Sequence, residues 1–170
     1  MNKYMLSFMD EEDRLLYLSL RKPTPDLIIP NLYLGNINHA KDLETLTSLD
    51  IKAIVQISDE EIAPRYPECF QYYTVTFKDL ETIDISKYLF SIIEFIARMI
   101  EKGNVFVHCN AGISRSVSVV IGYLIVYHEM SYDEAHAYVK AKRACIFPNS
   151  GFVKFLKALE KQYSKRSSCF

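Results

Sequence analysis

Cys109 and Arg115 stand six positions apart, with Gly112 midway and Ser114 and Ser116 beside the arginine. A cysteine can act as a thiolate nucleophile, and an arginine can grip two oxygens of one phosphate group at once. The residues before them, 105–108 (Val-Phe-Val-His), form an apolar, largely β-branched run. Those after, 117–127, are apolar with helical character. Strand, tight loop and helix in that order gather backbone N–H groups at a helix N-terminus and make an anion site. The chemistry implied is hydrolysis of a phosphate ester through a covalent phosphocysteine.

A free cysteine titrates near ~8.5 and is mostly thiol at neutral pH. The helix N-terminus, the charge of Arg115 and the hydroxyls of Ser114 and Ser116 all favour the thiolate at Cys109. His108, continuing the strand alternation, points away from the pocket and is expected to hold the loop by a hydrogen bond. Gly112 suits the tightest bend of a loop whose N–H groups converge on one anion. A lone cysteine reads as a buried structural thiol. Gly at +3, Arg at +6 and Ser at +7, set between a strand and a helix, override that reading.

The leaving oxygen of a phosphate monoester needs a proton. Residues 78–85 offer Asp79, Glu81 and Asp84. Asp79 directly follows a strand ending at Phe77 and emerges at the same sheet edge as Cys109, so it is the expected general acid. Asp84 is placed to cap the next helix, and Glu81 has no special support. No lysine lies between Cys109 and Arg115. The loop therefore fits one phosphate monoester and not a clustered polyphosphate.

The elements that must position these groups follow from periodicity. Residues 1–21 read as a short helix, capped by Asp10 or Ser7 and expected to be a lid packed on the domain. Pro23, Pro25 and Pro30 make an extended connector. Short strands are expected at 32–34, 53–57 and 72–77, with a helix over 39–49 and a loop over 59–70. Residues 86–101 repeat apolar positions through Leu89, Ile92, Ile93, Ile96, Met99 and Ile100. That is an amphipathic helix, capped by Asp84 or Ser86 and ended at Gly103. Ser131 and Glu134 form a capping box for a helix to about Arg143, and a last helix runs from 149–150 to about Tyr163. Strands alternating with helices predict an α/β fold, a mostly parallel central sheet flanked by helices on both faces. The site loop then sits at the carboxyl edge of its strand. The division expected is an N-terminal helix and connector at 1–26, a catalytic domain at 27–163 and a frayed tail at 164–170.

Hydrophobic residues make up 49% of the chain and charged residues 24%, a balance that suits a soluble globular domain. Lys and Arg number 20 against 21 Asp and Glu. A net charge so near zero gives no electrostatic case for nucleic-acid or membrane binding. The longest uncharged apolar stretch, 116–128, falls well short of the ~20 residues of a membrane span. Cys69, Cys109, Cys145 and Cys169 form no metal-ligand spacing, and no secretory signal is read at the N-terminus. A reduced cytoplasmic or nuclear setting is expected. The other cysteines read as ordinary thiols, with a protective disulfide to Cys109 as the alternative.

The stretch 108–116, His-Cys-Asn-Ala-Gly-Ile-Ser-Arg-Ser, resembles the HCxxGxxR[ST] signature of the cysteine-based protein tyrosine phosphatases. Its AGxSRS form is similar to the dual-specificity branch, and the likeness extends over about residues 27–160. Residues 29–35 resemble that branch's opening strand, Asp79 with Asp84-Ile85 its general-acid loop, 130–135 its next helix start and 147–152 its last. The resemblance implies Cys109 as nucleophile and Asp79 as acid then base. Arg115 with the backbone of Asn110, Ala111, Gly112, Ile113 and Ser114 would bind the phosphoryl group. Ser116 would stabilise the departing thiolate, and His108 and Asn149 would support the loop. It implies no metal and no cofactor. The Trp-Pro-Asp triplet of the classical tyrosine-specific enzymes is absent, since Phe77-Lys78 precede Asp79. The expected function is a small single-domain phosphatase acting on phosphotyrosine and phosphoserine or phosphothreonine of protein substrates. The alternatives are a phosphoprotein-binding pseudophosphatase and a phosphatase for a non-protein monoester.

Overall fold

The computed structural model describes residues 9–167. The chain runs α1 (Glu11–Leu20), β1 (Asp26–Ile29), β2 (Leu32–Gly35), α2 (Ile37–Lys41), α3 (Leu43–Ser48), β3 (Ile51–Ser58), β4 (Gln71–Thr76), α4 (Ser86–Ile100), β5 (Asn104–His108), α5 (Arg115–Tyr127), α6 (Tyr132–Lys142) and α7 (Ser150–Ser167). The five strands form one sheet in the order β1-β2-β5-β3-β4. β2, β5, β3 and β4 are parallel, and β1 joins β2 antiparallel. The strand that leads into Cys109 is therefore central.

Strand alternation divides the core. Val105 and Val107 share one face with Leu34, Val55 and Ile57, and α4, α5, α6 and α7 supply the apolar side chains packed there. Phe106 faces the other way, with Ile54, Ala40 and Leu46 beneath α2 and α3. α4 buries Leu89, Ile92, Ile93, Phe95, Ile96 and Met99 on one stripe, each side chain contributing about 1.5–3 kcal/mol. α5 is buried from Arg115 to Ile125, so its first turn is fixed beneath the sheet edge.

Several expectations need correction. β1 lies where an extended connector was expected. Its burial does not alternate, a register irregularity falls between Leu27 and Ile29, and prolines flank it, so no period-two signal marks it. The helix expected over 39–49 is two short helices broken at Asp42, which ends α2 and caps α3 by accepting from the N–H of Thr45. α4 has no side-chain N-cap; Asp84 instead accepts from the N–H and hydroxyl of Ser86. α7 runs to Ser167, past the expected fraying point, and residues 168–170 lie outside the described residues. Asp10 caps α1 by accepting from the N–H of Asp13, and Ser7 lies outside the described residues. α1 is loosely seated on the domain: Ser19 is buried, but Leu15, Leu16 and Leu18 stay exposed. No helix of the described residues is long and apolar enough to cross a membrane.

Candidate active site

β5 delivers His108 to the sheet edge, and the chain then turns through residues 109–114 before α5 begins at Arg115. Cys109 is 2% exposed. Its Sγ accepts from the N–H of Gly112 and from Oγ of Ser116, both at 3.2 Å. Such donors bind a thiolate more strongly than a thiol. Gly112 has φ +69°, and a Cβ there would lie 2.3 Å from the carbonyl oxygen of Gly35. Only glycine fits both the left-handed backbone and that approach.

Every carbonyl from Cys109 to Ser114 is bonded away from the loop's centre. The oxygen of Cys109 accepts from Nδ1 of His108 at 3.3 Å, and that of Asn110 from the N–H of Ile37. Arg143 donates Nη2 to Ala111 at 3.2 Å and Nε to Gly112 at 2.8 Å. Ile113 accepts from the N–H of Phe147, and Ser114 from the N–H and hydroxyl of Ser118. With the carbonyls bonded elsewhere, the loop amides are left for an oxyanion above Cys109, toward whose sulfur the N–H of Gly112 already points.

Arg143 is one residue that sequence reasoning missed. It ends α6 and is fully buried. Its Nη1 pairs with Asp26 at 2.8 Å, and Asp26 is held in turn by Lys22 at 2.5 Å. Its sequence neighbours carry no motif, and its counter-ion lies 117 positions away.

Arg115 is nearly buried. Its Nη1 meets Asp59 at 2.9 Å and the carbonyl of Phe77 at 3.4 Å. Among the described residues its Nε has no hydrogen-bond partner. That unspent donor is free for a phosphoryl oxygen. Asp59, which the sequence placed only at the start of the 59–70 loop, is thus the counter-ion of Arg115.

Asp79 sits against the loop wall. Its Oδ1 accepts from Oγ of Ser114 at 2.7 Å and from Nδ2 of Asn149 at 2.5 Å, and its Oδ2 is 3.9 Å from Nε of Arg115. Ser114 therefore turns its hydroxyl to Asp79 and not to Cys109, correcting the sequence expectation. Asn149 also caps α7 by accepting from the N–H of Phe152. A Cβ at Gly151 would lie 2.2 Å from the carbonyl of Glu81, so the Asp79 loop rests directly on the start of α7. Asp84 is engaged with Ser86, which holds its carboxyl below the usual range.

His108 stacks on Phe106 with ring centroids 5.3 Å apart, on the Phe106 face of the strand. Burial pushes its pKa down to about 4, so the ring is neutral and donates from Nδ1 to the loop. Cys69, Cys109 and Cys145 are free thiols, and Cys169 lies outside the described residues. Every residue expected at the site, from His108 to Ser116 with Asp79 and Asn149, is thus gathered at one sheet edge.

A family model described as the dual specificity phosphatase catalytic domain matches residues 32–162. The chain is 39% identical over 140 residues to dual specificity protein phosphatase 2 of Mus musculus, covering 81% of this chain and 43% of that one. It is 36% identical over 138 residues to dual specificity protein phosphatase 1 of Arabidopsis thaliana, covering 81% and 69%. The match thus spans less than half of the mouse relative. A crystal structure of the human tyrosine phosphatase-like serine/threonine/tyrosine-interacting protein superposes with a TM-score of 0.79 and 34% identity, covering 84% of this chain and 99% of that one.

Proposed function

The chain belongs to the dual specificity phosphatase catalytic-domain family, and on that premise we propose that it is a cysteine-dependent phosphatase acting on phosphorylated protein. The observation that carries this reading is the sulfur of Cys109 beneath a loop whose carbonyls all face outward, with the Asp79 carboxylate on its wall. The thiolate attacks phosphorus while the bond to the leaving oxygen breaks. Asp79, protonated, gives that oxygen its proton and so releases a free hydroxyl. The loop amides and Arg115 carry the charge of the transferring phosphoryl group. Asp79, now a carboxylate, takes a proton from water, whose oxygen attacks the phosphocysteine. Inorganic phosphate leaves, and Ser116 donates to the departing thiolate.

Residues 27–163 form the catalytic unit in this reading. The free thiols at Cys69, Cys109 and Cys145 suit a reducing compartment, the cytoplasm or nucleus. Substrates are phosphotyrosine and phosphoserine or phosphothreonine side chains.

The test is phosphate release from an aryl phosphate and from matched phosphotyrosine and phosphothreonine peptides. Turnover that disappears in Cys109→Ser while peptide binding survives supports the proposal. Asp79→Asn slows it by roughly 10²–10⁴-fold, the usual worth of a general acid. Binding of phosphopeptide by a wild-type protein that releases no phosphate assigns a docking module instead. Turnover of small monoesters with none of either peptide assigns a non-protein substrate.

A further inference from the structure

The loop that holds Cys109 forms part of a second feature. Between α1, the end of α6 and residues 144–147 lies a groove of about 400 Å³, lined by Leu15, Leu16, Leu20, Ile113, Ile146 and Phe147. Phe147 is 78% exposed, more than any other large apolar residue among those described; Leu15 and Leu16 are 50% and 39% exposed. Apolar side chains gathered at one exposed place mark a contact surface.

The groove is continuous with the catalytic loop. Ile113 belongs to both, and its carbonyl accepts from the N–H of Phe147 at 2.9 Å. The phenylalanine is thereby pinned to the rim of the phosphate site, two residues before Asn149, which holds Asp79. Ile146 beside it is pinned as well, since Nζ of Lys140 donates to its carbonyl at 3.3 Å. The charged side chains at the groove are Glu12 and Lys140, of opposite sign, so it offers no surplus positive charge for a second phosphate.

A phosphorylated side chain seated over Cys109 carries its neighbours along with it. Successive residues of an extended peptide advance about 3.3 Å, so positions one or two away from the phosphorylated one reach the rim. We propose that the groove receives a large apolar side chain of the substrate, within two residues of the phosphorylated one, and that Phe147 selects it. The proposal rests on the phosphatase reading above. It commits to the substrate because the groove shares Ile113 with the catalytic loop and is tied to it through Phe147.

The experiment uses phosphopeptides of one sequence in which leucine replaces serine in turn at each of the two positions before and after the phosphorylated residue. Para-nitrophenyl phosphate, which has no flanks, is the control. One leucine placement raises kcat/KM by about tenfold or more, the discrimination an apolar pocket supports. F147S removes that preference and leaves turnover of para-nitrophenyl phosphate unchanged, and F147L restores it. No preferred placement, or loss of peptide and control turnover together in F147S, overturns the proposal. A wild type inactive on the control sinks the phosphatase reading alone. The groove is then judged by calorimetric binding of the same peptides, where preference for leucine supports it and equal binding overturns it. Two other occupants overturn it as well. A fall in sedimentation mass in F147S assigns the groove to a second copy. A general rise in peptide turnover when Leu6 and Phe8 both become Asp assigns it to the chain's own N-terminal residues.

Discussion

Replacing Arg143 with methionine keeps most of the buried volume and removes the donors to Ala111 and Gly112 and the cation facing Asp26. Breaking a buried ion pair on one side costs about 3–5 kcal/mol, because the surviving charge is left without its partner. Asp26 keeps Lys22, whose side chain is about half exposed, so the electrostatic part falls at the lower end. Two orphaned carbonyls add about 1–3 kcal/mol each where water cannot reach them. The expected loss is therefore about 5–9 kcal/mol, a large share of the 5–15 kcal/mol typical of a domain. A second variant, Arg143→Met with Asp26→Leu, removes the stranded carboxylate and regains part of that loss. Its carbonyls at Ala111 and Gly112 stay free to swing inward, and activity remains down by about 10²-fold or more, the scale of losing one oxyanion donor. Urea unfolding followed by fluorescence and kcat/KM on an aryl phosphate read the two quantities separately. Recovery of activity together with stability in the double variant would refute the assignment of Arg143 to loop geometry.

Other perturbations address other parts of the site. His108 is held at a pKa of about 4 by burial, against 6.5 in the unfolded chain. Below pH 6.5 the unfolded chain takes up a proton that the folded chain refuses. The associated stability is thus complete above pH 6.5 and is lost as pH falls to about 4, amounting to about 3 kcal/mol. Urea midpoints across that range should show this slope, and His108→Asn should flatten it. Gly151→Ala drives a methyl group into the backbone of Glu81. It should shift the Asp79 loop and lower kcat about tenfold with KM little changed, as steady-state assays would show. Asn149→Ala removes the donor 2.5 Å from Asp79 and the cap on α7. The missing cap should cost about 1 kcal/mol in thermal unfolding, and kcat should fall less than in Asp79→Asn.

What the sequence revealed depended on how local the cause was. The loop from Cys109 to Ser116 was legible because its residue types and spacing are contiguous, and α4 because six apolar positions repeat on one stripe. Asp79 was legible because it follows a strand that runs parallel to β3, itself parallel to β5. β1 was hidden because a four-residue strand with an irregular register has no period to detect. The break at Asp42 was hidden because no glycine or proline marks it, although the aspartate caps a new start just before Leu43, Leu46 and Leu49. Arg143 and Asp59 were invisible for another reason. Each acts through a partner distant in sequence, and a charged residue at a helix end or strand end reads as solvated surface until its partner is located. Ser114 was assigned to the wrong acceptor because spacing does not say which way a hydroxyl turns.

The outward ties on the loop's carbonyls also bear on how the protein acquires activity. They come from β5, the first residue of α2, α5, the end of α6 and the segment before α7. No short stretch of the chain contains them all, and Arg143 itself must find Asp26 across most of the sequence. Contacts of such long separation form late in folding, since the entropy of closing large loops is spent first. A refolding chain therefore gains secondary structure before it gains a phosphate site. Regain of activity should trail the far-ultraviolet signal and coincide with the last tertiary phase, so turnover reports completion of the whole fold.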